Sequence, residues 1–127
     1  MTRTPPRDRD RGAVDVSIEM LVGMLAVIAS LLLVIEAVAY WHARNVFDDA
    51  AADGARIAAA YDGSCAAGIE AARASVERQA GSWADGVSIE CTDGPLVVVT
   101  IIGTTPGVVG GSLGVRARAS QSAPSER

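Results

Sequence analysis

Hydrophobic residues follow three different patterns along this chain, and each predicts a different element. The first is an unbroken run: Met20 to Ile35 (MLVGMLAVIASLLLVI) holds sixteen uncharged residues in a row, and after Glu36 the sequence continues Ala-Val-Ala-Tyr-Trp. A helix needs roughly 20 residues to cross a ~30 Å hydrocarbon layer, and Met20 to Ala39 supplies that span with one carboxylate near its far end. A helix apolar all round can also be the core of a globular fold, but the chain has too little other apolar material to wrap one. A cleaved secretory signal shares the basic start and the apolar run. Here the run outlasts the usual signal core, and His42-Ala43-Arg44-Asn45 continues in helical register with no small-x-small cleavage site before a polar start. The expectation is a retained transmembrane helix.

The second pattern has the period of one helix face. Val46, Phe47, Ala50, Ala51, Gly54, Ile57, Ala58 and Tyr61 recur at spacings of three and four. The segment is rich in Ala, the best helix former. Arg44 with Asp48, and Asp53 with Arg56, set opposite charges one turn apart on the polar side. The membrane helix is therefore expected to run outward from about Val14 to Ala60, roughly 70 Å at ~1.5 Å per residue. Its stripe of small residues permits close helix approach, either to other subunits or to the chain's own small domain. Asp62-Gly63-Ser64 reads as a stop and a cap, and Ala66 to Ala80 as a second helix whose apolar face is Ile69, Ala72, Val76, Ala80 and Trp83.

The third pattern is alternation. Val87-Ser88-Ile89-Glu90-Cys91, a turn at Asp93-Gly94-Pro95 and the β-branched run Leu96 to Ile102 predict a hairpin. Gly103 to Ser112 carries too many Gly and Pro residues for a regular element. Leu113, Val115, Ala117 and Ala119 then alternate as a third strand, and Gln121 to Arg127 is expected to be disordered. The predicted fold is α+β, with a long N-terminal transmembrane helix, a second helix and a small three-stranded antiparallel sheet. Its parts are a basic leader (residues 1–12), the helix and its extension (13–61), an extracytoplasmic head (62–120) and a tail (121–127).

Charge orients this picture. Residues 1–12 hold Arg3, Arg7, Arg9 and Arg11 against two aspartates, whereas Asn45 to Pro95 holds nine carboxylates against three arginines. Basic residues before the span predict a cytoplasmic N-terminus, with Tyr40 and Trp41 as outer interfacial anchors. An acidic exterior repels phosphates, which argues against direct nucleic-acid binding. Glu19 and Glu36 stand at the two ends of the apolar run, where the plain reading is that each reaches its own headgroup layer.

Composition then excludes most catalytic chemistry. With one His and two Cys, no four-ligand His/Cys metal site is possible, and a His-based triad has a single candidate, His42, beside the aromatic anchor with no nucleophile or acid arranged around it. Asp48, Asp49 and Asp53 lack the grammar of a calcium loop and lie on a helix. The expectation is a non-enzyme without cofactor, metal or small-molecule substrate. Cys65 opens the second helix and Cys91 closes the first strand. In an exported domain of this size a disulfide between them would tie helix to sheet, the alternative being two separately buried thiols.

Arg11-Gly12-Ala13 followed by a Glu and an apolar helix resembles the processing segment of type IV pilin-like proteins, which a prepilin peptidase cuts after the Gly. Ala43 to Arg56 (ARNVFDDAAADGAR) resembles the helix-extension motif of the TadE-like family, minor pseudopilins of tight-adherence (Tad/Flp) pilus systems: the ARN, AA and GAR elements stand at that family's spacing. The resemblance spans roughly residues 10–60. It implies processing between Gly12 and Ala13, with Glu19 pairing with the freed α-ammonium, within the subunit or on a neighbour. Glu19 would then be the seventh residue of the cut chain, where the family usually places its Glu fifth. It further implies a helix-packing motif made of Ala43, Arg44, Asn45, Ala50, Ala51, Gly54, Ala55 and Arg56, and pilin or pseudopilin subunits, the membrane and a prepilin peptidase as partners. The function expected on this basis is a single-pass, membrane-anchored pseudopilin-like component of Tad/Flp pilus assembly. The alternative is an uncleaved membrane-anchored interaction or adhesion protein of the cell envelope.

Overall fold

The computed structural model describes residue 2 and residues 9–127, and for residues 9–14 the backbone alone. Helix α1 runs Arg9–Ala59, α2 Cys65–Ala80 and a short α3 Val108–Leu113; the strands are β1 Ser88–Thr92, β2 Leu96–Thr104 and β3 Arg116–Pro124. The architecture is α+β, as the pattern of apolar residues predicts. The chain divides into two compact units, one up to Val34 and one from Ile35 to Arg127.

The first unit is helical from Arg9 on and has no core among its described residues. Its apolar side chains are open on every side, from Leu32 at 42% exposed to Met20 at 74%.

The second unit starts earlier than the 62–120 head expected from sequence, because the outer half of α1 forms its core. Ala43, Val46, Phe47, Ala50, Ala51, Ala55, Ala58 and Ala59 are all buried, while Ile57 and Tyr61 of the expected stripe are exposed. The helix ends at Ala59, so Tyr61 lies beyond it in the turn. Ser64 caps α2, its hydroxyl accepting from the Ala67 amide at 3.2 Å. Helix α2 buries Gly68, Ala72, Ser75, Val76 and Ala80.

The sheet is antiparallel in the order β1-β2-β3. Alternation puts Val97, Val99 and Ile101 of β2 and Ala117 and Ala119 of β3 on its covered face, against the α1 and α2 residues. Phe47 is the largest fully buried side chain, and Gly103 makes room for it: a Cβ there would stand 2.7 Å from the Phe47 ring. Cys65 and Cys91 are disulfide-bonded, with Cα atoms 5.6 Å apart and a sequence separation of 26, so the start of α2 is tied to the end of β1.

Two expectations at the C-terminal side are corrected. The segment read as irregular contains α3, and Leu113, assigned by alternation to the third strand, ends that helix. The strand begins at Arg116 and continues to Pro124, through most of what was expected to be a disordered tail. Pairing explains the extension: β2 is nine residues long and offers β3 a full ladder from Thr104↔Arg116 to Leu96↔Pro124. Past the strand, the Glu126 amide donates to the Ala59 carbonyl at 2.9 Å, and Arg127 reaches both the Ala58 carbonyl (3.1 Å) and Asp93 (2.9 Å).

Candidate functional site

The first functional feature is the bare apolar helix surface. Between Asp15 and Ala59 the most apolar part has none of its residues buried. Solvating such a surface in water would be costly, about 25 cal/mol per Å² of apolar area, and it is long enough to cross a bilayer. Glu19 lies in this stretch with its side chain exposed. Gly12 and Ala13 are within the backbone of α1, and their side chains lie outside the described residues, as does most of the basic leader.

The second feature is the small-residue motif of the helical extension. Ala43, Ala50, Ala51, Gly54 and Ala55 face inward, whereas Arg44, Asn45 and Arg56 face out. Arg44 pairs with Asp48 at 3.9 Å and Arg56 with Asp53 at 3.7 Å, as the spacing predicts. The inward residues pack within the chain's own head. A Cβ on Gly54 would come 2.8 Å from the Gly68 carbonyl oxygen and 2.9 Å from the Ala72 Cβ, and one on Gly68 would come 2.6 Å from the Ala58 Cβ. Helices α1 and α2 therefore cross at backbone contact, which only glycine permits at these two positions. Of the two uses the sequence left open for this stripe, it serves the intramolecular one over residues 43–59.

The third feature joins two segments more than seventy residues apart. Glu36 is half-buried, and its carboxylate accepts from the Val109 amide at 2.7 Å and the Gly110 amide at 3.1 Å. These are first-turn amides of α3, which have no partner inside their own helix and whose dipole favours a negative charge. Gly107, at φ +121°, brings the chain in; a Cβ there would stand 2.6 Å from a Glu36 oxygen. Gly114 at φ 68° closes α3, and Thr105 holds the far side of the loop, its amide and hydroxyl both donating to the Val115 carbonyl. Beside the headgroup contact expected for Glu36, the structure thus gives it two backbone partners. An acid closing an apolar run and a Gly-rich loop with spare amides were both visible in the sequence, but their pairing was not.

His42 is exposed, its ring 6.2 Å from Trp83, which also packs on Phe47 at 5.8 Å. Among the described residues no three His, Cys, Asp or Glu side chains gather where they would hold a metal ion.

The bare apolar helix and its Ala/Gly-packed extension fall within the stretch that one family model, described as TadE-like protein, matches. The chain carries a TadE-like segment, residues 16–56. It covers the apolar stretch, Glu36 and the motif from Ala43 to Arg56; α2, the sheet and the disulfide lie beyond it. No curated protein and no solved structure matches the chain. A TadE-like segment built on a long apolar helix fits a single-pass membrane component related to Tad pilus systems.

Proposed function

We propose that this protein is a membrane-anchored, pseudopilin-like component of Tad/Flp pilus assembly, or of a related secretion machine, and that it works without catalysis by packing its helix against other pilin-like subunits. The observation that carries the reading is the apolar surface from Val16 to Ile35 inside the TadE-like segment, left open by the chain's own fold. In a bilayer that surface meets lipid or the helices of neighbours. Since the Ala/Gly stripe from residue 43 on is used up inside the head, residues 16–35 are where a partner helix would bind. Ala26, Ser30 and Val34 lie there at one-turn spacing, with the Ser30 hydroxyl turned back onto the Ala26 carbonyl at 2.8 Å, a low-relief face suited to close approach. The N-terminus is cytoplasmic and the head extracytoplasmic, on the arginine distribution at the start of the chain. A Glu19 carboxylate at the inner edge of the span would be neutralised by an α-ammonium freed at Ala13.

An uncleaved anchor presenting an envelope-binding head is the second reading, and one observation favours it. Helix α1 begins at Arg9, so the Gly12–Ala13 bond lies within helix, whereas peptidases act on extended backbone. Intact mass after co-expression with a prepilin peptidase separates the two: loss of residues 1–12 supports the pseudopilin, and an untouched chain beside a processed control pilin supports the anchor. Site-specific photocrosslinking from position 30 in cells tests the packing itself. Adducts with pilin-like subunits are expected, and their absence would refute it.

A further inference from the structure

The Glu36 clasp fixes a height. Glu36 directly follows Ile35, the last residue of the uncharged run, and it holds the Val109 and Gly110 amides within 3.1 Å. If the run crosses the bilayer, α3 is held where the helix leaves the hydrocarbon. The side chains that α3 and its exit present outward there are Val108 (62% exposed), Val109 (44%), Leu113 (77%) and Val115 (41%). Val46, Val76, Val97, Val99 and Ile101 of the same unit are buried in its core, whereas these four, close together in sequence, stay open to the surroundings. Trp41, 63% exposed, lies just over one turn beyond Glu36 on α1, the depth at which indole rings settle in the interface.

Charge points to the same occupant. Residues 103–120 contain Arg116 and Arg118 and no acid, although the preceding part of the head is strongly acidic. Both arginines are exposed on β3, which leaves α3 after two residues. An apolar tip backed by arginines matches an anionic lipid surface, with acyl chains under the valines and phosphates at the guanidinium groups.

We infer that α3 is a membrane-dipping element: clasped by Glu36, it buries Val108, Val109 and Leu113 in the outer headgroup–acyl boundary and seats the head on the bilayer. The inference rests on the membrane-spanning reading of residues 16–35. It gives Glu36 a definite task, since the carboxylate that closes the span is the group that pulls the loop down. The opposite end of the head stands clear. Gly68 packs at the level of Gly54, eighteen residues beyond Glu36 on α1, or roughly 27 Å at ~1.5 Å per residue.

The test uses the full chain with its disulfide intact, reconstituted in phosphatidylcholine vesicles with and without phosphatidylglycerol. Nitroxide labels are placed one at a time through Ile28→Cys, Val109→Cys, Leu113→Cys and Glu70→Cys. Collision with dissolved oxygen, which concentrates in lipid, is compared with collision with a water-soluble nickel chelate. Labels at 28, 109 and 113 are expected to meet oxygen more often than nickel, and the label at 70 the reverse. The 109 and 113 labels should deepen when phosphatidylglycerol is present. Adding Glu36→Ala should bring the 113 label toward water while leaving the 28 label unchanged. A lipid-exposed 28 label with a water-exposed 113 label overturns this inference and leaves the span standing. A water-exposed 28 label removes the span and the inference together. A 113 label shielded from both reagents, and freed when protein is diluted in lipid, means that a second copy covers α3, and also overturns it.

Discussion

Gly54→Ala sets two well-known effects against each other, and their balance is decided by the α1–α2 crossing. In a helix interior, replacing Gly with Ala stabilises by about 1 kcal/mol through backbone entropy alone. At Gly54 the added methyl would lie 2.8 Å from the Gly68 carbonyl oxygen, 2.9 Å from the Ala72 Cβ and 3.4 Å from a Val99 methyl. The first two are backbone and a Cβ, neither able to swing aside, so α2 has to retreat as a body from a helix it already touches through Gly68 and Ala58. Overpacking of this kind costs about 1–3 kcal/mol, and with no flexible neighbour to absorb it the upper part of that range applies. The net expectation is a loss of about 1–2 kcal/mol. Urea unfolding of the full chain in detergent, followed through Trp83 against Phe47, reads the midpoint. Asn45→Ala, exposed on the same helix, gains about half a kcal/mol from propensity and should move the midpoint the other way. If Gly54→Ala raised the midpoint alongside it, propensity would have won, the helices would not be touching there, and the packing account of the GAR element would fail.

Replacing Cys65 and Cys91 together by Ser opens a loop of 26 positions, which in the chain-entropy model lowers stability by about 3.5 kcal/mol; an unchanged unfolding midpoint under oxidising conditions would contradict it. Glu36→Ala should speed hydrogen exchange at the Val109 and Gly110 amides selectively, with Glu36→Gln in between because one acceptor oxygen remains, and equal protection in all three would show that the clasp does not form. Arg127→Ala removes the contacts to Asp93 and the Ala58 carbonyl. Because the ion pair is partly exposed to solvent, the expected loss in the same urea assay is under about 1 kcal/mol, and a larger drop would mean that the C-terminal residues hold the head together.

The parts of the fold that were legible in the sequence are those whose cause is local. The uncharged run, the stripe from Val46 to Gly54, the Ser64 cap and the Asp93-Gly94 turn each carry their period or their hydrogen-bonding group within a few residues, and each is found where expected, whereas Ile57 at the outer end of the stripe is exposed. What was misplaced depends on distant partners. Helix α3 begins with amides satisfied by a carboxylate 73 residues earlier in the chain, so the Gly-rich segment around it gave no local sign of regularity. Without that helix, alternation from Leu113 to Ala119 started the third strand too soon. The same strand was ended too soon because Gln121, Ser122 and Ala123 have no apolar rhythm; they are ordered by the ladder that β2 supplies. At the candidate site, the bare apolar surface and the positions of the Ala and Gly residues could be read directly. Which of those residues face inward depended on where α2 crosses, a matter of tertiary packing.

The strand order carries a consequence for how the head comes into being. β2 lies between its neighbours, yet β3 follows it in the chain only after the α3 loop. On the proposed extracytoplasmic placement of the head, the hairpin and both cysteines would emerge while one edge of Val97–Ile102 still lacks its partner. Unpaired strand edges of this kind invite aggregation. Early oxidation of Cys65 and Cys91 would pin α2 beside the hairpin during that interval, so the covalent link can act as a guard for the nascent sheet as well as a brace for the finished one.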